Sequence, residues 1–261
     1  MCLPFSCPRY CLGCSARGTK RGTDRDMENE GGGIENNSWI LPWSIILFIA
    51  IYMLTLNTIF KSKKHQTKTE RHEAASCCMS IIHGTTSTIL TIYNLMHIKD
   101  PLNNLDSQNT SFQNALMEFS SAYFIVDLLH YAIYVPDQVL FILHHIATTT
   151  YMFSCRFYTH HGAISVMFLL GLAESTSLIQ NIWTISLIYR YLKFHRFLNI
   201  FFIPVYTVAR GVLGPLLTWK LCAFYLFGGA DHVIPRWLVS YWMFTVVFAI
   251  AGSILWVSTL W

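Results

Sequence analysis

The chain has 261 residues, of which 53% are hydrophobic and only 12% are charged, and its formal net charge is +4. Together with a mean hydropathy of +0.41, this composition excludes an ordinary soluble domain, because too few polar residues remain to coat the outer faces of the helices. Apolar runs of about 20 residues, the length a helix needs to cross a bilayer, recur along the chain. We therefore predict an all-α, multi-pass transmembrane helical bundle.

In chain order, a mixed-charge segment, 1–38, comes first; it contains three consecutive glycines, and we expect it to be a flexible tail. Four cysteines lie in this tail at spacings that fit no zinc site, and disulfides or lipidation are alternatives to plain disorder there. About seven predicted spans follow: 39–60, 74–96, 115–135, 138–156, 163–189, 197–227 and 237–258. Proline and glycine residues in the sixth span predict a kink.

Basic residues are concentrated in two loops that seven spans place on the same side of the membrane. KSKKHQTKTER (61–71) and RYLKFHR (190–196) carry eight Lys or Arg residues, against three in the opposite loops. By the positive-inside rule the basic side is cytosolic, which puts the N-terminus in the lumen and the C-terminus in the cytosol. We expect the basic loops to meet anionic lipid headgroups and not nucleic acid. Asn109, in the pattern Asn-Thr-Ser, falls on the luminal side and is a candidate for glycosylation.

Ionisable residues inside spans are costly, and they mark functional sites or structural pairs. A turn at 136–137 joins spans three and four, and Asp127 and His145 lie roughly 12–13 Å from it along the two helices. His130 and His144 lie roughly 9–11 Å from the same turn. These four groups therefore predict a polar site at one depth. Adjacent helix positions diverge by about 100°, so His144 and His145 do not both point into it.

Polar residues on other spans extend this layer. His83 and Asn181 lie roughly 13–15 Å from the basic side, and Glu174 and Arg210 lie roughly 20–24 Å from it, where they are candidates for a buried ion pair. Interhelical hydrogen bonding is the alternative role for these four residues. No His-x-x-x-His spacing is present, and we predict no bound metal.

Three segments carry a family resemblance. SAYFIVDLLHY (121–131), LHHIAT (143–148) and GLAESTSLIQNIW (171–183) resemble the TRAM-LAG1-CLN8, or TLC, domain. The resemblance covers roughly 70–258 and leaves 39–60 as an additional leading helix. It implies six helices packed around a central cavity, usually in the endoplasmic reticulum or a related secretory-pathway membrane.

The resemblance also suggests a reaction. In the ceramide synthases of this family, twin histidines and intramembrane aspartates transfer an acyl group from acyl-CoA to a sphingoid amine. His144 and His145 match the twin histidines, and Asp127 matches the aspartate of a Tyr-Phe-x-x-Asp segment that starts at Tyr123. The synthases carry a further His-Asp-x-x-Asp motif, whereas the corresponding LLGLAESTS has Glu174 as its only ionisable group.

Two functions follow from these observations. We favour binding of a membrane lipid, a sphingolipid or phospholipid, or regulation of membrane lipid composition, without catalysis and without a cofactor. The alternative is acyl transfer to an amine or alcohol lipid, with acyl-CoA as substrate and His144, His145 and Asp127 as the catalytic residues. A transporter, channel or cargo receptor is a third class, and the sequence does not identify a protein partner. The residues predicted to line the polar cavity are His83, Tyr123, His130, Glu174, Asn181 and Arg210.

Overall fold

The computed structural model describes residues 39–58 and 66–261. The predicted tail, 1–38, and the start of the first basic loop, 59–65, lie outside the described residues. Within the described ranges the regular structure is helical and contains no β-strand. The α-helices are α1 (Ile40–Thr58), α2 (Lys68–Met96), α3 (Ser111–Tyr134), α4 (Val139–Phe153), α5 (Ala163–Glu174), α6 (Ser177–Ile188), α7 (Leu192–Tyr206), α8 (Gly214–Leu226) and α9 (Arg236–Leu260).

These helices form seven rods, because α5 continues into α6 and α7 continues into α8. Five rods in the described part of the chain are long and apolar enough to cross a membrane on their own, and α3 and α4 are not among them. Helix α3 carries buried acids, and α4 has only 15 residues before its geometry changes. The predicted all-α multi-pass bundle is confirmed.

Two helices begin earlier than the hydrophobic pattern predicted, because polar residues cap them. Thr67 and Glu70 form a capping box at α2, in which Glu70 N donates to Thr67 Oγ1 at 3.1 Å and Thr67 N donates to Glu70 Oε2 at 2.7 Å. Thr110 and Gln113 make the equivalent pair at α3. Each box satisfies two backbone N–H groups that a helix start leaves unpaired.

The predicted irregularity in the sixth span is a π-helical segment, Thr207–Leu213, which lies between α7 and α8. It follows Pro204, whose ring removes one backbone donor from the helix. A second π-helical segment, Ser154–Thr159, extends α4. π-Helical geometry inserts an extra residue per turn and is frequent at functional sites, and here it determines where Arg210 projects.

At the end of the bundle away from the basic loops, the side chain of Asn109 joins three segments. Its Nδ2 donates to the Cys155 carbonyl at 2.8 Å, and its Oδ1 accepts from Ala163 N at 3.0 Å. The candidate glycosylation site is therefore a structural bridge, because a glycan on Nδ2 would displace the bond to Cys155. Nearby, Arg156 Nε donates to Glu118 Oε1 at 2.6 Å, and both side chains are buried.

The core combines large aromatic and aliphatic side chains from several rods. Trp242 on α9, Tyr225 on α8, Phe48 on α1 and Met79 on α2 are completely buried. Large apolar side chains also cover the outer faces of the rods, where Phe244 is 70% exposed. Lipid chains are the environment in which such an apolar exterior is stable.

Candidate functional site

A cavity divided into a polar and an apolar part lies among α2, α3, α4, α5, α6, α7, the π-helical segment Thr207–Leu213 and α9. The polar part has a volume of about 140 Å³ and the apolar part about 90 Å³. Each is several times larger than the minimum needed to hold one water molecule. Five residues line both parts and form their shared wall: Phe124, His144, Arg210, Ala249 and Ser253.

Asp127 and His145 form the centre of the polar part. The Nε2 atom of His145 lies 2.9 Å from Oδ2 of Asp127, and both side chains are buried. The predicted meeting of α3 and α4 at one depth therefore occurs for these two residues. It follows from the short turn between α3 and α4, because residues that are equally far from the turn on the two helices lie next to each other.

The second ring nitrogen of His145 is also occupied, because Nδ1 lies 2.7 Å from the Phe141 carbonyl oxygen. A carbonyl oxygen only accepts, so Nδ1 carries the proton and donates it. Nε2 then either donates to the Asp127 carboxylate or accepts from its carboxylic acid. In both protonation states neither nitrogen of His145 has a lone pair free for attack on a substrate.

His144 has the opposite character. Its ring lines both parts of the cavity and makes edge contacts with Phe124 at 6.3 Å and with His145 at 5.8 Å between ring centroids. It forms no hydrogen bond to any residue within 39–58 or 66–261. The twin histidines diverge as helix geometry predicts: His145 faces the carboxylate, and His144 faces the cavity.

Hydroxyl groups complete the surroundings of Asp127. Ser76 Oγ donates to Oδ1 at 2.5 Å, and the Tyr123 hydroxyl donates to Oδ2 at 3.3 Å. Ser80 bonds in turn to the Tyr123 hydroxyl at 2.6 Å. Sequence reasoning missed both serines. The signal that would have found them is their spacing of four residues, which puts both hydroxyls on one face of α2.

His83 supports the site from behind and does not line the cavity. It is completely buried, and its ring stacks on Tyr123 with the centroids 3.9 Å apart. Its Nε2 bonds to Ser87 Oγ at 3.0 Å, while Nδ1 lies 3.8 Å from Glu174 Oε1. The prediction that His83 lines the polar cavity is therefore wrong, although His83 fixes the ring of a residue that does.

His130 is also outside the cavity wall, contrary to the predicted layer of four titratable groups. Its Nδ1 lies 3.1 Å from the hydroxyl of Tyr52 on α1, and the same hydroxyl lies 2.7 Å from His72 Nδ1 on α2. The His72 ring stacks on Tyr134 with the centroids 3.7 Å apart. The three-residue step from Asp127 turns His130 by about 60° away from it, toward α1.

Glu174, Asn181 and Arg210 line the polar part, but the expected ion pair between Glu174 and Arg210 does not form. Arg210 Nη2 instead donates to the Ala173 carbonyl at 2.8 Å. Glu174 approaches His83, and Asn181 Nδ2 donates to the Ser177 carbonyl at 2.7 Å. The depth estimate assumed a straight helix, whereas Arg210 lies in a π-helical segment.

The arrangement offers one free imidazole, one guanidinium and the two carboxyl groups of Asp127 and Glu174 beside an apolar space. Within the described ranges, no three His, Cys, Asp or Glu side chains are grouped so that they could hold a metal ion. The groups that line the cavity can take part in hydrogen bonding, charge pairing and proton transfer at the boundary of the two parts.

Comparison with known proteins decides the family. The model of the TRAM_LAG1_CLN8 family, described as the TLC domain, matches residues 73–261, well over half of the chain. The chain belongs to the TLC domain family. It is similar to the TLC domain-containing protein At5g14285 of Arabidopsis thaliana, with 40% identity over 228 residues that cover 85% of this chain and 88% of that protein. No solved structure matches it.

All residues that line the divided cavity lie within the matched TLC domain. Helix α1 precedes the matched range but packs against its centre, since the Phe48 ring lies 5.7 Å from Tyr123 and 6.0 Å from His83. Helix α1 therefore packs against Tyr123 and His83 but does not line the cavity.

Proposed function

We propose that this TLC-domain protein binds a membrane lipid, a sphingolipid or a phospholipid, in the divided cavity and thereby regulates membrane lipid composition without catalysis. One observation carries the proposal: a polar space and an apolar space share a single wall that includes His144 and Arg210. A ligand that fills both needs a polar head and a hydrocarbon chain. Ligand sites of this kind combine apolar walls with a few placed polar groups.

The two parts differ in the way such a ligand requires. Tyr151, Met152, Val166 and Leu170 contribute to the apolar wall, which removes a chain from polar surroundings. The polar part is lined by hydroxyl, amide, imidazole and carboxyl groups from α2, α3, α4 and α6. A headgroup in this part would gain hydrogen bonds that lipid chains cannot supply.

The state of His145 supports binding over covalent chemistry. Its two nitrogens are held by Phe141 and Asp127. The sequence also lacks the second acidic motif of the ceramide synthases, because LLGLAESTS has only Glu174 in its place. One of the twin histidines thus serves as a structural partner of an aspartate and is not a free base.

His144 supports the second candidate, acyl transfer. Its ring faces both parts of the cavity and has no hydrogen-bond partner among the described residues. In this reaction His144 removes a proton from the amine or hydroxyl of a lipid acceptor, which attacks the thioester carbonyl of an acyl-CoA. The acceptor–carbonyl bond forms, the carbon–sulfur bond breaks, and the coenzyme A thiolate takes the proton.

One experiment separates the two candidates. The full chain is purified in mild detergent, its bound lipids are identified by mass spectrometry, and hydrolysis or transfer from palmitoyl-CoA is measured. Bound lipid without turnover in the wild type supports the binding function. Turnover that His144→Ala abolishes, and that Lys220→Gln on an exposed face of α8 leaves unchanged, establishes acyl transfer instead. Absence of both lipid and turnover contradicts both functions.

We further propose residence in the endoplasmic reticulum or another secretory-pathway membrane, with the basic loops in the cytosol. Eight of the Lys and Arg residues in the loops between spans lie on that side, and three lie on the other. Selective permeabilisation of the plasma membrane tests this orientation. Antibody access to a C-terminal tag without access to an N-terminal tag supports it, and the reverse pattern contradicts it.

A further inference from the structure

We propose that Arg210 is an anion receptor and that the cavity's ligand is a single-chain amphiphile with an anionic headgroup. This inference rests on the proposed lipid-binding function and specifies the class of lipid. Arg210 is the cation of the shared wall, so a group bound to it lies between the polar and the apolar part. A chain attached to that group enters the apolar part directly.

The guanidinium has donors to spare. It carries five N–H donors, and the bond from Nη2 to the Ala173 carbonyl, 2.8 Å long, accounts for one. The Nε atom is buried and has no hydrogen-bond partner. An unpaired charged donor at this depth is costly, and an anionic acceptor offsets that cost more effectively than a neutral one.

No carboxylate of the described chain forms an ion pair with Arg210. Asp127 is engaged with His145 at 2.9 Å, and Glu174 lies 3.8 Å from His83 on α2. The positive charge in the shared wall therefore has no direct counter-ion. A ligand anion supplies the missing partner.

The side chain is held in place before any ligand arrives. The Arg210 guanidinium lies over the Tyr206 ring at 5.5 Å, and Tyr206 packs edge-on against Trp256 with the centroids 4.6 Å apart. The Ala173 carbonyl fixes one arm of the fork. Pre-organisation of this kind lowers the entropic cost of binding.

The apolar part limits the hydrophobic portion of the ligand. At about 90 Å³ it is too small to enclose a whole acyl chain and has room only for the part of one chain that lies next to the headgroup. A fatty-acid carboxylate and the phosphate of a lysophospholipid share the required chemistry, since both accept bidentate hydrogen bonds from arginine. The two sources are distinguished by their headgroups in the experiment below.

The test compares three probes that have the same 16-carbon chain: palmitate, palmitoyl lysophosphatidate and hexadecanol. Binding to the full chain in lipid nanodiscs is measured by competition and by the shift in melting temperature, for the wild type and for Arg210→Gln, Arg210→Lys and Lys220→Gln. Lys220 is an exposed cation on the same rod and controls for the loss of one positive charge.

We expect the wild type and Lys220→Gln to bind at least one anionic probe more tightly than hexadecanol. Arg210→Gln should weaken anion binding by between about tenfold and a hundredfold while hexadecanol binding stays unchanged. Arg210→Lys should recover part of the loss. Palmitate binding identifies a carboxylate ligand, and preference for lysophosphatidate identifies a phosphate.

Three results would overturn the inference, and they differ from failure of lipid binding itself. Equal binding of all three probes to the wild type shows that the cavity holds lipid without selecting an anion. An anion preference that survives Arg210→Gln shows that another group is the receptor. Binding of none of the probes by a wild type that co-purifies with a two-chain lipid shows that the ligand is not a single-chain amphiphile. If the wild type binds no probe and co-purifies with no lipid, the proposed lipid-binding function is itself contradicted.

Discussion

His145 on α4 and Asp127 on α3 form a buried pair, with Nε2 and Oδ2 2.9 Å apart, that joins the two helices in the wall of the polar part of the cavity. Each residue also has a hydrogen-bond partner outside the pair. Phe141 accepts from Nδ1 of His145, and Ser76 donates to Oδ1 of Asp127. The pair is therefore part of the scaffold of the cavity as well as its lining.

Removal of His145 should destabilise the protein strongly. His145→Ala leaves the buried Asp127 carboxylate without its partner, and breaking a buried pair in this way costs about 3–5 kcal/mol. The measurement is the free energy of unfolding in mixed micelles. His144→Ala is the matched control, because His144 has no hydrogen bond to lose within the described chain and should cost much less. Equal losses for the two variants would contradict the structural role of His145.

A second variant distinguishes the interaction between Asp127 and His145 from the effect of general packing. Asp127→Asn removes the charge and keeps the shape, so it should lower the cost of a subsequent His145→Ala. The two substitutions together are then less destabilising than the sum of the single effects, by about 1–3 kcal/mol. Strict additivity would mean that the two residues do not act as a pair.

Tyr52 joins three helices, and its hydroxyl should contribute to stability. It lies 2.7 Å from His72 Nδ1 and 3.1 Å from His130 Nδ1, so one hydroxyl connects α1 to α2 and α3. Tyr52→Phe removes both contacts and should lower the free energy of unfolding by about 1–2 kcal/mol. Tyr93→Phe, at a tyrosine that is 55% exposed, is the control and should have little effect. If Tyr52→Phe left the free energy of unfolding unchanged, apolar packing alone would hold α1 in place.

Much of the fold was predictable because each rod is a separate apolar run with polar ends. The pair of Asp127 and His145 was predictable for a local reason, since the turn at 136–137 fixes the register of α3 against α4. The partners of His130 were not predictable, because Tyr52 and His72 come from helices whose rotation about their axes the sequence pattern leaves undefined. The hydrophobic pattern of α1 is nearly uniform around the helix and gives no facing direction.

The remaining differences have a geometric origin. Counting residues from a loop places Glu174 and Arg210 at one depth, but the count assumes a rise of about 1.5 Å at every step. The π-helical segment Thr207–Leu213 and the break between α5 and α6 invalidate that count. Arg210 therefore donates to the Ala173 carbonyl and lines the cavity, and it does not pair with the Glu174 carboxylate.

Asn109 should matter for folding and not for glycosylation. Its side chain donates to the Cys155 carbonyl and accepts from Ala163 N, so Asn109→Ala should cost about 1–3 kcal/mol. Ser111→Ala removes the same Asn-Thr-Ser pattern but keeps both bonds and the Thr110 cap. We expect Ser111→Ala to be stable and to show the electrophoretic mobility of the wild type. A mobility shift on glycosidase treatment of the wild type would contradict this assignment.

Gly84 sets the distance between α2 and the rod formed by α5 and α6, and we expect substitution there to disturb the cavity. A Cβ atom at this position would lie 2.7 Å from Ser177 Cβ and 2.7 Å from Glu174 Oε2, both closer than atoms approach without a shift. The carboxylate can swing aside, but the Ser177 Cβ is attached to the helix and moves only with it. Gly84→Ala should therefore cost about 1–3 kcal/mol.

Movement of α6 away from α2 in Gly84→Ala should also change ligand binding, because Glu174 and Ser177 line the polar part of the cavity. Gly84→Ala should retain less co-purified lipid than the wild type at a temperature where both are folded. Gly211→Ala is the matched control: its new Cβ would meet nothing closer than Thr207 Cγ2 at 3.8 Å. Unchanged lipid content and unchanged melting temperature in Gly84→Ala would show that α2 and α6 have room to separate, and that their close approach does not define the cavity.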